Sequence, residues 1–427
     1  MKVNLKIWHL LITFCIVLII IRFISIIEVI RLFFSFIVLL LTDFPNAISQ
    51  LSFDLMDHFA SGALIIFLPL IIFFKLKNWK VLQSKLDFSS LVMGTLGVVF
   101  IFSPLISYSH PDFQKNIGLT KLLPPFSNTI FLKFERNPAV EPTRFDNFVE
   151  LKKTVLKSVF DEDVIFVDSM QLGEKIFYFQ NQKTFEISVD SLKAKKIVPT
   201  LNKKFFLLGT DEFGRDIFAR LVYGARISIF VGICSVFLSF VIGFILGSGS
   251  GYLGGKVDLI LNRVTDAFLS FPAIFLIIII LALFGNSMLA VISVLGFSGW
   301  MSLFKIVRSE VMSLKHKDFF ISAQMIGLSA KQLLINEILP IIMTPIIVNL
   351  VNLFGSVILA EAALSYLGLG TGSNHPSWGS MIDAGQNYLK AAWWMIFFPG
   401  LALIFTLYSA HDLGEKIKNH FNPQLRK

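Results

Sequence analysis

Three carboxylates, Asp211, Glu212 and Asp216, lie together in a glycine-containing turn immediately before a long apolar run. Carboxylates this close could bind a divalent metal ion or act as a general acid and base. The same residue types can also serve structure alone, because Thr210 or Asp211 could cap a helix and Gly214 would allow a tight bend. We interpret the turn as structural.

The segment Gly249–Gly254 matches the G-x-G-x-x-G pattern of dinucleotide sites. That pattern requires a preceding strand, whereas a run long enough for a membrane helix precedes it here. The adjoining Gly254-Gly255-Lys256 resembles a phosphate-binding loop. However, Ser250 and Val257 occupy positions that need glycine and a hydroxyl residue. We predict a tight turn and no nucleotide site.

Metal and redox chemistry have little support in the sequence. The seven histidines are scattered and form no H-E-x-x-H pattern. Cys15 and Cys234 lie inside apolar runs, which favours packing over a disulfide or a metal pair. Asp266, Lys305 and Glu361 lie near the ends of apolar runs. Ionisable residues within a membrane are functional candidates, but near the interface they can reach water, and we favour this second interpretation.

The composition requires a membrane to cover the apolar surface of this chain. Of 427 residues, 55% are hydrophobic, 16% are charged and 46 are phenylalanine. Because spanning helices satisfy their own backbone hydrogen bonds, we predict an all-α membrane protein. Residues 29–41 either extend the first span or lie in the interface. The predicted spans are 8–27, 59–74, 90–108, 228–248, 267–285, 289–306 and 393–411, with an eighth at 338–360 that Pro340 and Pro345 interrupt.

Charge placement predicts the orientation. The connection 42–58 is acidic and has no lysine or arginine, whereas the connection 75–88 is basic. The positive-inside rule then puts both termini in the cytoplasm and 109–206 outside. The net charge of +9 reflects such loops, so we expect no nucleic-acid partner. The first apolar run could be a signal peptide, but its length and the lack of a cleavage site favour a retained anchor. The lysines of the basic connection are Lys75, Lys77, Lys80 and Lys85.

We divide the chain into four segments. The third is a polar insertion that starts with proline-rich irregular chain and continues with apolar residues at helical spacing over 148–159. Three short runs at 164–167, 176–179 and 185–189 predict strands, with a turn at Asn181-Gln182. We expect a small α+β structure on the outer face. The segments are 1–80 with two spans, 81–108 with the first core span, 109–206 as the insertion, and 207–427 with five spans.

The turn discussed first resembles a signature of one family, the second permease subunit of dipeptide, oligopeptide and nickel ABC importers. The resemblance covers about 205–427 strongly and 88–108 weakly, and does not include 1–80 or most of 109–206. It implies a type I ABC importer helix bundle, MetI-like, here with two extra N-terminal spans and the insertion. In the family this outer elbow leads into the core bundle. Its matching residues are Gly209, Thr210, Asp211, Gly214, Arg215 and Asp216.

Residues 318–340, here called the coupling segment, resemble the "EAA" loop of such permeases. The resemblance implies a short helix that docks on the ATPase, a turn at the glycine, and a second helix. Ile321 and Ser322 depart from the family's usual Glu and Ala, which could weaken or retune the contact. We expect the two phenylalanines to offer apolar knobs. The matching residues are Asp318, Phe319, Phe320, Ala323, Gly327, Leu339 and Pro340.

Residues 361–380, here called the outer-mouth segment, also resemble the family, where this part lies at the mouth to which a substrate-binding protein docks. Glycine, proline and tryptophan suit a re-entrant or interfacial loop. A plain structural cap is the alternative. The matching residues are Glu361, Gly368, Gly370, Pro376, Trp378 and Gly379.

The resemblance implies a permease that is not an enzyme and binds no cofactor, with ATP and Mg²⁺ held by partner subunits. The implied partners are a second permease in a heterodimer, two ATPase subunits, an external binding protein and membrane lipid. A secondary transporter driven by an ion gradient is the alternative, but it would call for intramembrane carboxylates and two matching halves. An integral-membrane enzyme would need a clustered nucleophile or metal set.

Overall fold

The computed structural model describes most of the chain. The described residues are 6–75, 87–136, 143–157, 164–172, 175–180, 183–188, 197–371 and 376–421. Several predictions fall outside them, including the lysines at 77, 80 and 85 of the basic connection and the turn at Asn181-Gln182.

Apolar helices occupy the N-terminal quarter. The first predicted span, 8–27, was wrong in its extent, because the helix breaks at Arg22 and a separate apolar helix follows. The spans predicted at 59–74 and 90–108 are confirmed by apolar helices long enough to cross a membrane, and the first of these helices starts six residues earlier than predicted. The bounds are α1 Ile7–Ile21, α2 Phe23–Thr42, a short α3 Phe44–Ser49, α4 Phe53–Lys75 and α5 Phe88–Ile106.

The insertion contains helices and two antiparallel three-stranded sheets. The sheet orders are β2-β1-β6 and β3-β4-β5, and Ser127 pairs with Phe206 at one end of the β1–β6 ladder. The predicted helix and three predicted strands are present as α7, β2, β4 and β5, whereas β1, β3 and β6 were not predicted. The bounds are α6 Ile117–Thr120, β1 Ser127–Arg136, α7 Arg144–Leu156, β2 Val164–Val167, β3 Ser169–Leu172, β4 Lys175–Gln180, β5 Lys183–Ser188 and β6 Ile197–Phe206.

In the C-terminal half, the regular elements among the described residues are helices. Their bounds are α8 Ile217–Leu253, α9 Gly255–Ser270, α10 Ala273–Phe284, α11 Met288–Leu314, α12 Asp318–Met325, α13 Ala330–Gln332, a π-helix Leu333–Ile338, α14 Leu339–Tyr366, α15 Trp378–Gln386 and α16 Trp394–Phe421.

The span predicted at 267–285 is not one straight helix. It divides between α9 and α10, which are bent by 84° at Phe271 and Pro272. Proline has no N–H to continue the helical ladder, and its ring excludes the preceding turn. The turn predicted over 249–254 also lies later, since α8 continues to Leu253 and the positive φ angles fall at Gly254 and Gly255. Seven described helices are long and apolar enough to cross a membrane, or eight if this bent pair counts as one.

The chain divides into two compact units. The first comprises Met1–Leu86, Gly94–Arg226 and Ala384–Pro399, and the second the remaining segments. In the first, a core of side chains such as Cys15, Phe36 and Phe148 joins α1, α2, α4, α5 and α7. Cys15 is fully buried in this core, in agreement with the packing role predicted for it, and both cysteines are free thiols.

In the second unit, glycines let α8 and α11 approach closely. A Cβ on Gly243 would lie 2.9 Å from the carbonyl oxygen of Trp300, and one on Gly247 would lie 2.9 Å from that of Phe304. A Cβ on Gly251, one turn further on, would lie 2.9 Å from the carbonyl oxygen of Arg308. Small residues four apart bring helix backbones together in this way.

Candidate functional sites

The outer elbow is a closed turn held from both sides by backbone groups. The Thr210 hydroxyl donates to the Thr120 carbonyl at 2.5 Å and accepts from the Leu123 N–H at 2.8 Å. The Trp394 indole N–H donates to the Thr210 carbonyl at 3.0 Å. Gly209 has φ +81°, and a Cβ there would lie 2.5 Å from the Leu123 carbonyl oxygen. Glycine is therefore required both by backbone conformation and by space.

Asp211 organises the inside of this turn. Its carboxylate accepts from the Arg215 N–H at 2.8 Å and from Arg215 Nε at 2.6 Å. Gly214 between them has φ +74°, which confirms the predicted bend. Asp112 joins the cluster through Arg220 Nη1 at 2.9 Å. Charge-assisted bonds of this kind to a buried carboxylate are strong and directional, so the carboxylates form a structural ion-pair network.

Asp216, and not Thr210 or Asp211, caps the following helix, so that prediction was wrong. The Phe218 N–H donates to Asp216 Oδ1 at 2.9 Å, at the start of α8. Thr210 cannot do so because its hydroxyl is already used by the chain at 120–123. Burial raises the pKa of Asp216, although the charge of Lys204 and the bond from the Ser109 hydroxyl oppose the rise.

The coupling segment is a helix, a turn and a second helix. Gly327 has φ +90° between α12 and the helical stretch that starts at Ala330, and a Cβ there would meet no atom within 4 Å. A glycine is thus required at position 327 because of the backbone conformation and not because of limited space. The Ser329 N–H donates to Gln332 Oε1 at 2.9 Å and starts the second helix. Leu339 and Pro340 begin α14, after the π-helix.

Phe320 was expected to be a surface knob, and this was wrong. It is 1% exposed and packs into the chain's own core with Val307 and Leu333, because helical periodicity turns it inward. Sequence reasoning missed the residues that do face outward. Met325 and Ile326 are 84% and 82% exposed. Two large apolar residues in succession at a helix end were the available signal.

The exposed side of α12 also includes residues that the sequence singled out. Phe319 and Ile321 are both partly exposed apolar side chains. Asp318 is in the first turn of α12, where a carboxylate is favourable. Ala323 packs beside the core that contains Phe320. The coupling segment therefore combines one buried anchor with an apolar outward surface.

The outer-mouth segment is densely packed on the end of α14. A Cβ on Gly370 would lie 2.2 Å from Ser365 Oγ, and one on Gly379 would lie 2.5 Å from the Ala362 carbonyl oxygen. Gly368 has φ +75°, and its carbonyl accepts from Asn286 Nδ2 at 2.7 Å. Pro376 and Trp378 are buried, and Trp378 begins α15.

Glu361 is fully buried beneath this segment. Its carboxyl oxygens accept from the hydroxyls of Ser228 at 2.9 Å and Ser365 at 2.8 Å. The Ser377 hydroxyl in turn donates to Ser365 Oγ at 3.2 Å. The glutamate therefore links α8, α14 and the residue before α15 through hydroxyl groups, which a buried carboxyl group requires.

Other ionisable candidates are paired. Lys305 Nζ lies 2.5 Å from Asp266 Oδ1, with both side chains partly exposed. Exposed pairs of this kind contribute little stability. Within the part of the chain that the structure describes, no three histidine, cysteine or acidic side chains are grouped to hold a metal ion.

Comparison with known proteins places this arrangement in a family. Residues 239–416 match the family model for the binding-protein-dependent transport system inner membrane component. This match includes the whole coupling segment and the whole outer-mouth segment.

Individual relatives match a longer stretch. The dipeptide transport system permease protein DppC of Bacillus subtilis (strain 168) is 34% identical over 238 residues, 56% of this chain and 73% of the relative. The oligopeptide transport system permease protein OppC of the same organism is 35% identical over 219 residues, 51% of this chain and 72% of the relative. The oligopeptide transport system permease protein OppC of Haemophilus influenzae is 35% identical over 228 residues, which are 53% of this chain and 73% of the relative.

Proposed function

Because this chain belongs to the family of inner-membrane permease components of binding-protein-dependent transport systems, we propose that it forms half of the membrane pathway of an ATP-driven importer. The cargo we propose is a peptide or a related small solute, as the names of the relatives suggest. The chain is a transport component and not an enzyme. Its family favours this function over the gradient-driven transporter.

The coupling segment carries the proposal. Its outward surface, Met325 and Ile326 above all, is too apolar and too exposed to be left in water. We propose that it docks in a groove of an ABC ATPase subunit. Phe320, on the opposite side of the same helix, is locked in the core with Val307. A movement of the partner would thus be passed to α11 through packed side chains.

The full machine that we propose has a second permease subunit, two ATPase subunits and an external substrate-binding protein. ATP and Mg²⁺ would be bound by the ATPase subunits. Both termini of this chain would be cytoplasmic, and the outer elbow and outer-mouth segment would face the binding protein. ATP binding would then bias a packed bundle between two arrangements. The chain itself is an inner-membrane protein with several spans.

The test is ATP hydrolysis by a gently solubilised complex, purified through a tag on this chain. Met325→Asp with Ile326→Asp should lose the co-purifying ATPase while the thermal stability of the chain stays unchanged, since both side chains are exposed. Met325→Leu is the control and should keep the ATPase. Phe320→Ala should instead lower stability by about 3 kcal/mol. Stable wild-type protein that brings down no ATPase would overturn the proposal.

The cargo is tested separately. Cells that produce the complete transporter and lack other peptide importers should accumulate labelled dipeptides or oligopeptides in an ATP-dependent manner. Accumulation of a different small solute, with no peptide uptake, would keep the permease proposal and overturn the peptide cargo.

A further inference from the structure

Helix α2 is apolar on two faces, and only one of them is covered. Its inner face, which includes Val29 and Phe36, is buried in the core of the first unit. On the other face Ile24, Phe34 and Leu41 are 73%, 61% and 79% exposed. A helix this long and apolar could be a membrane span by composition. The contacts of its neighbours indicate a different placement.

Helix α1 runs in the same direction as α5. Near the start of both helices, a Cβ on Gly94 would lie 3.2 Å from Leu10. At their far ends, Arg22 Nε donates to the Leu105 carbonyl at 2.7 Å. Arg22 also lies over the Tyr108 ring, 3.6 Å from its centroid. Arginine and tyrosine at helix ends are typical of a membrane interface, so α1 reaches the same interface as the end of α5.

Helix α2 does not return beside α1. Helix α4 is antiparallel to α5, since the Ser61 hydroxyl donates to the Ile101 carbonyl at 2.8 Å while Asp57, one turn earlier, shares Arg226 with Ser103. Along α2, Val29 packs at Gly62, and Phe36 lies 5.8 Å from Phe59. Helix α2 therefore advances towards the N-terminus of α4, the same direction as α1.

The far half of α2 packs on the insertion. Phe36 lies 5.9 Å from Phe148 of α7, measured between ring centroids. Lys152 of α7 donates to the Gln50 carbonyl at 2.7 Å, just after α3. Five of the thirteen residues of α7 are charged, and the helix starts with an exposed Thr143–Asp146 capping box. Such a helix belongs in water and not in hydrocarbon.

Length is compatible with α1 as the crossing. Its 15 residues extend about 22 Å, against a hydrocarbon core of about 30 Å. Short spans are accommodated when flanking residues reach to the interfaces, and Lys6 and Arg22 flank α1.

We propose that α1 alone crosses the membrane and that α2 lies in the outer-leaflet interface, with α7 on one face and lipid acyl chains on the other. In this arrangement α2 fastens the insertion to the membrane surface. The lipid-facing side continues from exposed apolar residues of α1 and α4, such as Ile20 and Phe67. The choice of the outer leaflet rests on the proposed function, in which the insertion is external.

Membrane depth is the deciding measurement. Nitroxide labels would be attached to single cysteines at positions 24, 34 and 41 of the full chain in lipid bilayers, in a Cys15→Ala, Cys234→Ala background. The ratio between the collision rate of the label with oxygen and its collision rate with a water-soluble nickel chelate reports the depth of the label in the bilayer. Position 67, inside the spanning α4, is the deep reference. We expect all three α2 positions to be accessible to oxygen and clearly shallower than position 67.

Two results would overturn the proposal. If position 34 is as deep as position 67 and deeper than 24 and 41, α2 is a span. If the three positions are inaccessible to both probes in the assembled transporter, protein and not lipid covers the face. Ile37→Cys replaces Phe34→Cys if the latter unfolds. Depth does not depend on which side is external. A wrong orientation is detected separately, by a protease-cleavable N-terminal tag that is cut in intact cells.

Discussion

At the residue scale, the outer elbow depends on two glycines that no other residue can replace. Gly209 and Gly214 both have positive φ angles, and each would place a Cβ against a neighbouring segment. Their neighbours, Leu123 and Thr120, come from the start of the insertion. The elbow is therefore a joint between the insertion and α8, held by backbone contact.

Replacing Gly209 by alanine should destabilise the chain by on the order of 3 kcal/mol. The new Cβ would lie 2.5 Å from the Leu123 carbonyl oxygen, which is a clash, and the positive φ at this position would strain the backbone of an alanine. Gly254→Ala is the matched control, since Gly254 has φ +65° but nothing within 4 Å. Because its ψ of −156° puts Gly254 in a region that only glycine commonly adopts, the backbone strain alone should cost about 2 kcal/mol. Thermal unfolding in detergent measures both, and equal losses would show that the contact with Leu123 does not matter.

Asp216 predicts a pH dependence. Because burial raises its pKa in the folded chain, the folded state binds this proton more tightly than the unfolded state does. Stability from this group should therefore fall as pH rises from the ordinary value of 3.8 to the raised one, and stay constant above it.

Asp216→Asn should remove that part of the pH dependence while keeping an oxygen that can accept from the Phe218 N–H. Thermal unfolding measured at several pH values is the check. A variant with an unchanged pH profile would assign the dependence to other groups. Asp383→Asn, far along the chain in α15, serves as a comparison.

The sequence revealed the elbow residues but not what holds them. The glycines and carboxylates were visible because their types are unusual before an apolar run. Asp112, Thr120 and Trp394 were not, because they lie 108, 90 and 184 residues from their partners in the chain and have no local pattern. The same limit applied to Phe320, whose inward direction depends on a core that sequence alone does not place.

At the element scale, α8 and α11 touch through backbone along three turns. Gly243, Gly247 and Gly251 each leave room only for a hydrogen atom at the partner helix. This spacing predicts a firm contact, and it separates these glycines from Gly249, which meets nothing within 4 Å.

Gly247→Ala should lower stability by about 2 kcal/mol, because its Cβ would meet the Phe304 carbonyl at 2.9 Å. Gly249→Ala, two residues away on the same helix, should be neutral or stabilising by up to about 1 kcal/mol, as alanine is the better helix former. Unfolding in detergent compares the two. An equal loss at both positions would exclude close packing as the cause.

Helices were easier to predict than strands. Long apolar runs gave the spans, since only a helix satisfies the backbone in a membrane. The break at Pro272 was missed because apolar character continues on both sides of it. Strands β1 and β6 were missed because their ten residues each mix charged and apolar types, and β6 includes Pro199.

At the scale of the whole molecule, the insertion is mounted on the β1–β6 ladder. Its register runs from Ser127 opposite Phe206 to Arg136 opposite Ile197. The chain therefore leaves the ladder after Arg136 and enters it again at Ile197, directly opposite. The residues at 112–123 that contact the elbow come before the ladder in the chain. The part beyond the ladder can be removed without cutting the elbow.

Replacing 137–196 by Asn-Gly should close the ladder as a hairpin, because this pair favours two-residue turns. The elbow should persist, but α2 would lose the cover of α7 around Phe36. One hypothesis for the insertion is that it guides the external binding protein, and in that case the affinity of the binding protein for the transporter should fall at least tenfold. Binding of the labelled protein to reconstituted transporter is the measurement, and unchanged affinity would remove that role.

The π-helix between the coupling segment and α14 has a consequence for helical phase. Its hydrogen bonds close over one residue more than those of an α-helix. If the same six residues formed regular α-helix, each would turn the chain by about 100° and not by the smaller angle of a π-helix, so everything before them would turn by about 100° relative to α14. The outward surface of α12 would then point elsewhere while every side chain in it remained unchanged. A deletion of one residue within 333–338 would instead let regular α-helix form and keep this direction almost unchanged, because the π turn holds one residue more. The direction in which this surface faces is thus set by the hydrogen-bond pattern of one short turn and not by the identity of its residues.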